Sequence, residues 1–553
     1  MTQKEVTVAR SGELKDGEMK QVSVDETEIL LARAGGKYYA VGAHCTHYGA
    51  PLVEGVLSND RIICPWHHAC FNATTGDLEE PPALDALPCY GVRVEGESVI
   101  VSLPDEIADR RTPAMAKRNS SADARLFVIL GGGAAGNIAA QTLREDGFQG
   151  RVLMITREDR TPYDRPNLSK DYLQGHAEPE WMPLRGDEFY AEHDIELSRG
   201  KEVARVETAK KTITFKDGDT LTYDSLLVAT GGTPRRLDVS GSDLRNIFVL
   251  RSFGDADAII EAEQQASHAV VVGASFIGME AAASLRERKL SVTVVAPGEA
   301  PFEKTLGPEI GRMLQQVHES QGVQFKLGAS VTRFEGDGAV KRVVLDSGER
   351  IEADLVVVGV GVRPATDFLE GVRLHRDGAV VVDKYLRAAD GVYAAGDIAY
   401  FPSALTNERQ RIEHWRTAQQ QGRVAAHNMA GREIEFDGVP FFWTRQFDAG
   451  LLYVGHAASW DEIIYQGEVS AQDFLAFYVK DNCVRAVAGM NRDRDMAALE
   501  ELMRLGRMPT PAQLRNSPAG FLELLGDDST RDATIRSTPA QHSISPAARS
   551  RAS

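Results

Sequence analysis

The chain has 553 residues, 43% hydrophobic and 26% charged, which is more than one hydrophobic core organises and ordinary for a globular protein of roughly three or four domains. Its formal net charge of −18 at pH 7 argues against nucleic acid and anionic lipid as partners, because both would be repelled. The charged start Met1-Thr2-Gln3-Lys4-Glu5 lacks an apolar secretory segment and no stretch offers about 18 uncharged apolar residues, so a cytoplasmic monomer or homodimer, off the membrane, is expected.

Residues 1–103 carry short alternating patterns such as Val22-Ser23-Val24 and Val92-Arg93-Val94, broken by Gly, Pro and Asp turns, and predict a small all-β module. The five cysteines are too few and too clustered for a disulfide framework and point to metal or redox work. Cys45-Thr46-His47 is followed after sixteen residues by Cys64-Pro65-Trp66-His67. Two cysteines and two histidines on two short loops suit a cluster in which one iron takes thiolates and the other takes neutral imidazoles. A structural zinc with the same four ligands is the alternative, although the spacing suits it poorly. His44 and His68 are read as neighbours of the ligands, and Cys70 and Cys89 as small buried hydrophobes, the usual fate of free cysteine. The pattern resembles the Rieske [2Fe–2S] family over about residues 4–103. In the high-potential members each ligand loop carries a further cysteine; here Ala50 and Trp66 stand in those places. The resemblance therefore implies the ferredoxin and oxygenase type, with a potential low in the range of roughly −150 to +300 mV.

Residues 104–124 lose periodicity and collect Asp, Arg, Pro, Ser and Asn; as a flexible linker they would span roughly 25 Å and let the small module swing. From residue 125 buried strands alternate with Ala-rich helices, the texture of parallel α/β units. The strand Leu126 to Leu130 leads into Gly131-Gly132-Gly133-Ala134-Ala135-Gly136, whose amides and helix start can cradle a pyrophosphate. At the end of the next strand, where a ribose-binding acid is expected, the chain has Arg157 and then Glu158, the best candidate.

A second unit runs from Ala269 through Gly273-Ala274-Ser275-Phe276-Ile277-Gly278-Met279-Glu280. Its discriminating acid would fall at Ala296; no Arg stands there for a 2′-phosphate, and Glu299 keeps NAD slightly ahead of NADP. Two dinucleotide units imply FAD in the first and NAD(P)H in the second. Gly391 to Asp397 resembles the segment that holds the ribityl chain in two-dinucleotide flavoproteins, Leu226 to Gly231, with Thr230, resembles their middle FAD strand, and Gly359-Val360-Gly361-Val362-Arg363-Pro364 resembles their crossover.

Within that superfamily the chain resembles the apoptosis-inducing-factor-like and oxygenase-coupled ferredoxin reductases, and more closely their Rieske-fused members, through Pro162-Tyr163-Asp164-Arg165-Pro166-Asn167-Leu168-Ser169-Lys170. The resemblance implies that Arg165 contacts FAD, that Lys170 lies beside the isoalloxazine and pairs with Glu280, and that Phe276 stacks near the nicotinamide. It also implies that Glu413, His414 and Trp415 cover the flavin, with Trp443 added from the C-terminal part. No Cys-x4-Cys or Cys-x-x-Cys pair occurs in the flavoprotein part, which excludes a dithiol disulfide-reductase mechanism.

The expected architecture is multidomain: an N-terminal all-β Rieske fold, two α/β dinucleotide-binding domains and a C-terminal α+β domain. The FAD domain is expected at 125–238 and 363–436, the NAD(P)H domain at 239–362, the α+β domain at 437–527, and a disordered tail at 528–553. The expected function is electron transfer from NAD(P)H through FAD to the chain's own cluster and on to an acceptor such as a ferredoxin or oxygenase. The alternatives are an NADH-responsive signalling protein and a reductase of an external ferredoxin with a docking-only Rieske domain.

Overall fold

The computed structural model describes residues 4–516 and 520–526; the tail expected to be disordered lies outside the described residues. At the N-terminus a six-stranded antiparallel sheet takes the order Lys4–Arg10, Ser98–Leu103, Cys89–Glu95, Lys37–Gly42, Thr27–Ala34, Met19–Val24. A four-stranded sheet, Val56–Ser58, Arg61–Ile63, Cys70–Asn72 and Leu78–Glu80, packs against it. Strand Thr27–Ala34 joins the layers because alternate side chains point opposite ways: Ile29 and Leu31 enter one core, Leu30 and Ala32 the other. Both cysteine–histidine loops leave this module from strand ends, one after Lys37–Gly42 and one between Arg61–Ile63 and Cys70–Asn72. Cys70 is buried at 1% exposure, as expected. Cys89 is exposed instead, because it opens the strand Cys89–Glu95, whose outer face meets water.

Two parallel sheets follow, each a repeat of the same solution. The first runs Ile195–Ser198, Arg151–Ile155, Leu126–Leu130, Ser225–Val228, Val392–Ala394, closed by antiparallel Arg387–Ala389. The second runs Ile247–Phe248, Leu355–Val358, His268–Val272, Ser291–Ala296, Gln324–Leu327. Continuous Val, Ile and Leu runs suit strands buried on both faces. The turn glycines superimpose in their constraints. Gly131 has φ +117° and a Cβ there would lie 2.2 Å from the Ala229 carbonyl oxygen; Gly273 has φ +113° and the same atom would lie 2.3 Å from that of Gly359.

The C-terminal sheet is antiparallel, in the order Phe441–Gln446, Ala449–Gly455, Cys483–Met490, Asp473–Lys480, Glu462–Glu468, and the helix Asp493–Arg504 packs on it. Its first strand is shared between neighbours: Phe441 joins a cluster with Val56, Ile63 and Cys70 of the N-terminal module, while Phe442 joins the core around the second parallel sheet. The N-terminal module therefore shares a hydrophobic core with the rest of the chain. The segment 104–124 is pinned as well, through reciprocal Ala86–Arg111 hydrogen bonds of 2.9 Å and through Ala116 and Asn119, whose amides donate to Arg144 and Gln149 carbonyls at 2.8 Å. A linker expected to let the module swing is laid down as a strap, since its backbone groups find partners on both bodies. Among the described residues no helix is long and apolar enough to cross a membrane.

Candidate functional site

A cavity of about 850 Å³ opens at the carboxyl ends of the first parallel sheet's strands, where nucleotide ligands bind in such sheets. Gly131, Gly133, Glu158, Arg165, Lys170, Thr230, Gly231, Asp397, Glu413, His414, Trp415 and Trp443 all line it, joined by Phe276, Ile277 and Glu280 from the second unit. Gly136, Gly273, Gly278 and Gly361 do not. The reason differs in kind: a Cβ on Gly136 would fall 1.9 Å from the Gly131 carbonyl oxygen, and one on Gly278 would fall 2.1 Å from that of Gly273, so these two let each helix close on its strand. Gly133 caps the helix Ala134–Glu145, leaving its first amides and dipole toward the cavity, a cradle for a phosphate.

Several acidic and basic side chains of the wall are paired. Glu158 accepts from the Tyr163 hydroxyl at 2.6 Å and from Arg165 Nη2, and Arg165 also donates to the Arg251 carbonyl at 3.0 Å. Arg251 meets Asp397 at 2.6 Å, a contact with no signal in the sequence because 146 residues separate the two. Burial and the nearby Asp397 carboxylate push the Glu413 carboxyl up against the opposing Arg411. Burial holds the His414 imidazole down at about 3, so it is neutral near pH 7.

Lys170 and Glu280 form the expected pair, Nζ to Oε2 at 2.9 Å, with the carboxylate 3% exposed. Glu280 also accepts the hydroxyls of Ser169 at 2.5 Å and Thr444 at 2.6 Å, neither of which sequence reasoning singled out. A buried carboxylate is tolerated only with such a set of donors.

The four candidate ligands come together as two pairs, and the imidazole pair reaches the cavity through Trp443, which lines it. Tight turns hold the loops: the Gly49 amide donates to the Cys45 carbonyl, and the Cys45 and Cys64 amides to those of Ala50 and Ala69, each at 2.9 Å. The sulfurs of Cys45 and Cys64 lie within hydrogen-bond reach of each other. That bond and burial push the Cys45 thiol up, while Cys64 is drawn down, against its burial, by Cys45 and by the His67 and Trp66 amides. The imidazoles of His47 and His67 lie 5.0 Å apart. Burial holds His47 down at about 3 and His67 well below the usual range, leaving both neutral, as metal ligation requires. The buried Nδ1 of His47 has no partner. Among the described residues no three His, Cys, Asp or Glu groups close on one point. The ligands thus form a thiol pair and an imidazole pair, an arrangement that fits a cluster in which one iron takes thiolates and the other takes imidazoles.

Trp443 bridges the two centres: its ring lies 4.4 Å from that of His67 and 6.3 Å from that of His47, and it also lines the cavity. The Tyr48 hydroxyl donates to Asp164 across the same seam. His68 is fully buried, stacks 4.1 Å from Phe441 and bonds Glu500 through Nδ1. His44 is exposed and bonds Glu28.

Comparison with known proteins identifies the family of each part of the chain. Residues 126–422 match the pyridine nucleotide-disulphide oxidoreductase family, residues 4–91 the Rieske [2Fe-2S] domain, and residues 441–524 the reductase C-terminal domain. Apoptosis-inducing factor 3 of Homo sapiens is 40% identical over 91% of this chain and 84% of its own length. Rhodocoxin reductase of Rhodococcus erythropolis is 34% identical over 70% of this chain and 91% of its own. A chain of the covalent putidaredoxin reductase–putidaredoxin complex superimposes with a TM-score of 0.69 at 30% identity, over 73% of this chain and 98% of that one. Fold, donor set and relatives together make this chain a member of the pyridine nucleotide-disulphide oxidoreductase family, a ferredoxin-reductase-like, FAD-dependent NAD(P)H oxidoreductase that carries its own Rieske [2Fe–2S] domain.

Proposed function

We propose that this chain passes electrons from NAD(P)H, NADH being the favoured form, through FAD to its own cluster and from there to a one-electron acceptor protein. When bound, NAD(P)H supplies a hydride, FAD holds the electron pair and releases it singly, and the cluster takes one electron at a time. In this reading Cys45 and Cys64 ligate one iron and His47 and His67 the other. Gly131, Gly133 and the following helix start hold the flavin pyrophosphate, Glu158 its ribose, and Thr230, Gly231 and Asp397 its linking chain. Glu413, His414 and Trp415 exclude water from the covered side, while Phe276 and Ile277 guide the nicotinamide toward Lys170. Gly273, Gly278 and Gly361 shape the turns of the nicotinamide unit.

The observation that carries the reading is the ring of Trp443, which touches His67 at 4.4 Å and also forms part of the cavity wall. A docking-only role for the N-terminal module would leave no reason to aim both imidazoles inward. That ferredoxin–NAD(+) reductase components stand among the relatives supports an acceptor of protein type. The test is an anaerobic NADH titration of the holoprotein, read by absorption and EPR. Bleaching of the flavin band with a Rieske-type signal is expected, and His67→Ala should keep the bleaching and lose the signal. Bleaching without any cluster signal in the unaltered protein would refute the internal route.

A further inference from the structure

The hydrogen bonds that end on Glu280 continue away from the cavity. Thr444 donates its hydroxyl to Glu280 Oε1 at 2.6 Å, Gln446 donates from Nε2 to Thr444 Oγ1 at 3.2 Å, and Gln446 Oε1 meets His318 Nε2 at 2.9 Å. Thr444 and Gln446 are two apart on the strand Phe441–Gln446, so the pleat aims both to one side, while Trp443, the residue before Thr444, faces the imidazole pair. His318 comes from the helix Pro308–Ser320 of the nicotinamide unit. Glu280 and Thr444 are each 3% exposed, and Gln446 and His318 are 0% exposed. Four buried polar side chains from three parts of the chain thus share one line.

The direction of the protons decides what the line can do. Burial, opposed by the bond to Gln446, holds the His318 imidazole down at about 4, so it carries one ring N–H near pH 7. That proton is on Nε2, since a bare Nε2 would set its lone pair against the Gln446 carbonyl oxygen. The Gln446 amide is fixed likewise, because the Thr444 hydroxyl proton is spent on Glu280. Every donor therefore points toward Glu280. The far end is closed, as His318 Nδ1 is buried without a partner, and an amide relays protons poorly. The line is not a proton route. Aligned donors do polarise one another, and they commit Oε1 of Glu280, leaving Oε2 to Lys170 at 2.9 Å and Ser169 at 2.5 Å.

We propose that Gln446, oriented by His318, is a positioning residue for the hydride-accepting site. It fixes the Thr444 hydroxyl on Glu280, and Glu280 in turn fixes the Lys170 ammonium at the cavity wall. This inference rests on the flavin assignment made above and goes beyond it in naming the residues that set the flavin's electron affinity from outside the cavity.

The two-electron midpoint potential of the flavin in the full-length holoprotein tests it. Gln446→Met should weaken the reduction equilibrium about tenfold, equivalent to about 30 mV for a two-electron couple. Thr444→Val should do at least as much, and Gln446→Met should then add nothing in the Thr444→Val background, because its effect travels through that hydroxyl. His318→Phe, which keeps the ring against Phe447 at 5.0 Å, should reproduce Gln446→Met and carries the same prediction if that variant does not fold. His318→Gln, which restores an N–H donor, should return the unaltered potential. An unchanged potential in Gln446→Met and His318→Phe, or additive shifts in the double variant, overturns the proposal. Failure of the underlying assignment reads differently: the unaltered holoprotein would lack a flavin band or resist bleaching by NADH, and the proposal would fall with it.

Discussion

Replacing Arg416 by methionine isolates what holds the N-terminal module against the flavoprotein. Arg416, 1% exposed, donates to Glu500 Oε1 at 2.6 Å, to Glu80 Oε2 at 2.9 Å and to the Pro81 carbonyl at 2.8 Å. One guanidinium therefore ties together the helix Trp415–Met429, the helix Asp493–Arg504 and the N-terminal module. Burial opposes ionisation of Glu80, but Arg416 and Arg61 outweigh it and hold its carboxyl at about 2. Removing one partner of a buried pair costs about 3–5 kcal/mol. Glu80 keeps Arg61 and Gln420, each at 2.6 Å, and Glu500 keeps His68, which favours the lower end, about 3 kcal/mol. At about 1.4 kcal/mol per tenfold, the undocked population should rise by roughly two orders of magnitude.

Protease cleavage within residues 104–124 under native conditions reads that population, and anaerobic stopped flow with NADH reads its consequence. Flavin bleaching should keep its rate while cluster reduction slows. Adding Glu80→Gln and Glu500→Gln to Arg416→Met should restore much of the docking, because uncharged groups of similar volume replace buried ion pairs at little cost. Acid acts on the same carboxylate. Since the folded value of Glu80 lies below its usual 4.5, its contribution is complete above about pH 4.5 and is lost as pH falls toward 2, the window in which cleavage should accelerate. Cleavage and cluster reduction within twofold of the unaltered protein would refute the lock.

Gly131→Ala would put a Cβ 2.2 Å from the Ala229 carbonyl oxygen at φ +117° and should yield protein without a flavin band. Gly273→Ala, with 2.3 Å to the Gly359 carbonyl oxygen, should stay yellow yet need at least about tenfold more NADH for bleaching, about 1.4 kcal/mol of binding. Trp443→Leu should leave bleaching intact and slow cluster reduction by at least about tenfold, about 1.4 kcal/mol in barrier, as measured by rapid-freeze EPR.

Much of the fold was legible because its signals are local. The two glycine turns, the paired cysteine–histidine loops and the buried Val-rich strands each announce themselves within about a dozen residues, and the cavity gathers most of the residues picked from those motifs. Other predictions needed correcting. Cys89 is a strand-edge residue on the surface, and polarity in 104–124 signals backbone laid on protein surfaces here, a case that composition cannot tell from free solvation. Arg251, Thr444, Gln446, Arg416 and Glu500 carried no motif at all, being single polar residues with partners 84 to 432 residues away.

Side-chain type and short spacing set the chemistry: which groups can ligate iron and which turns can receive a pyrophosphate. Backbone strain and ligand geometry act over a few bonds, so those choices are written along the chain. How the two sites lie against each other was decided only in three dimensions. The strand Phe441–Gln446 turns Trp443 toward the imidazoles and Thr444 toward Glu280, and Arg416 closes the module over both. Such contacts join residues by burial, and burial depends on the whole packed core.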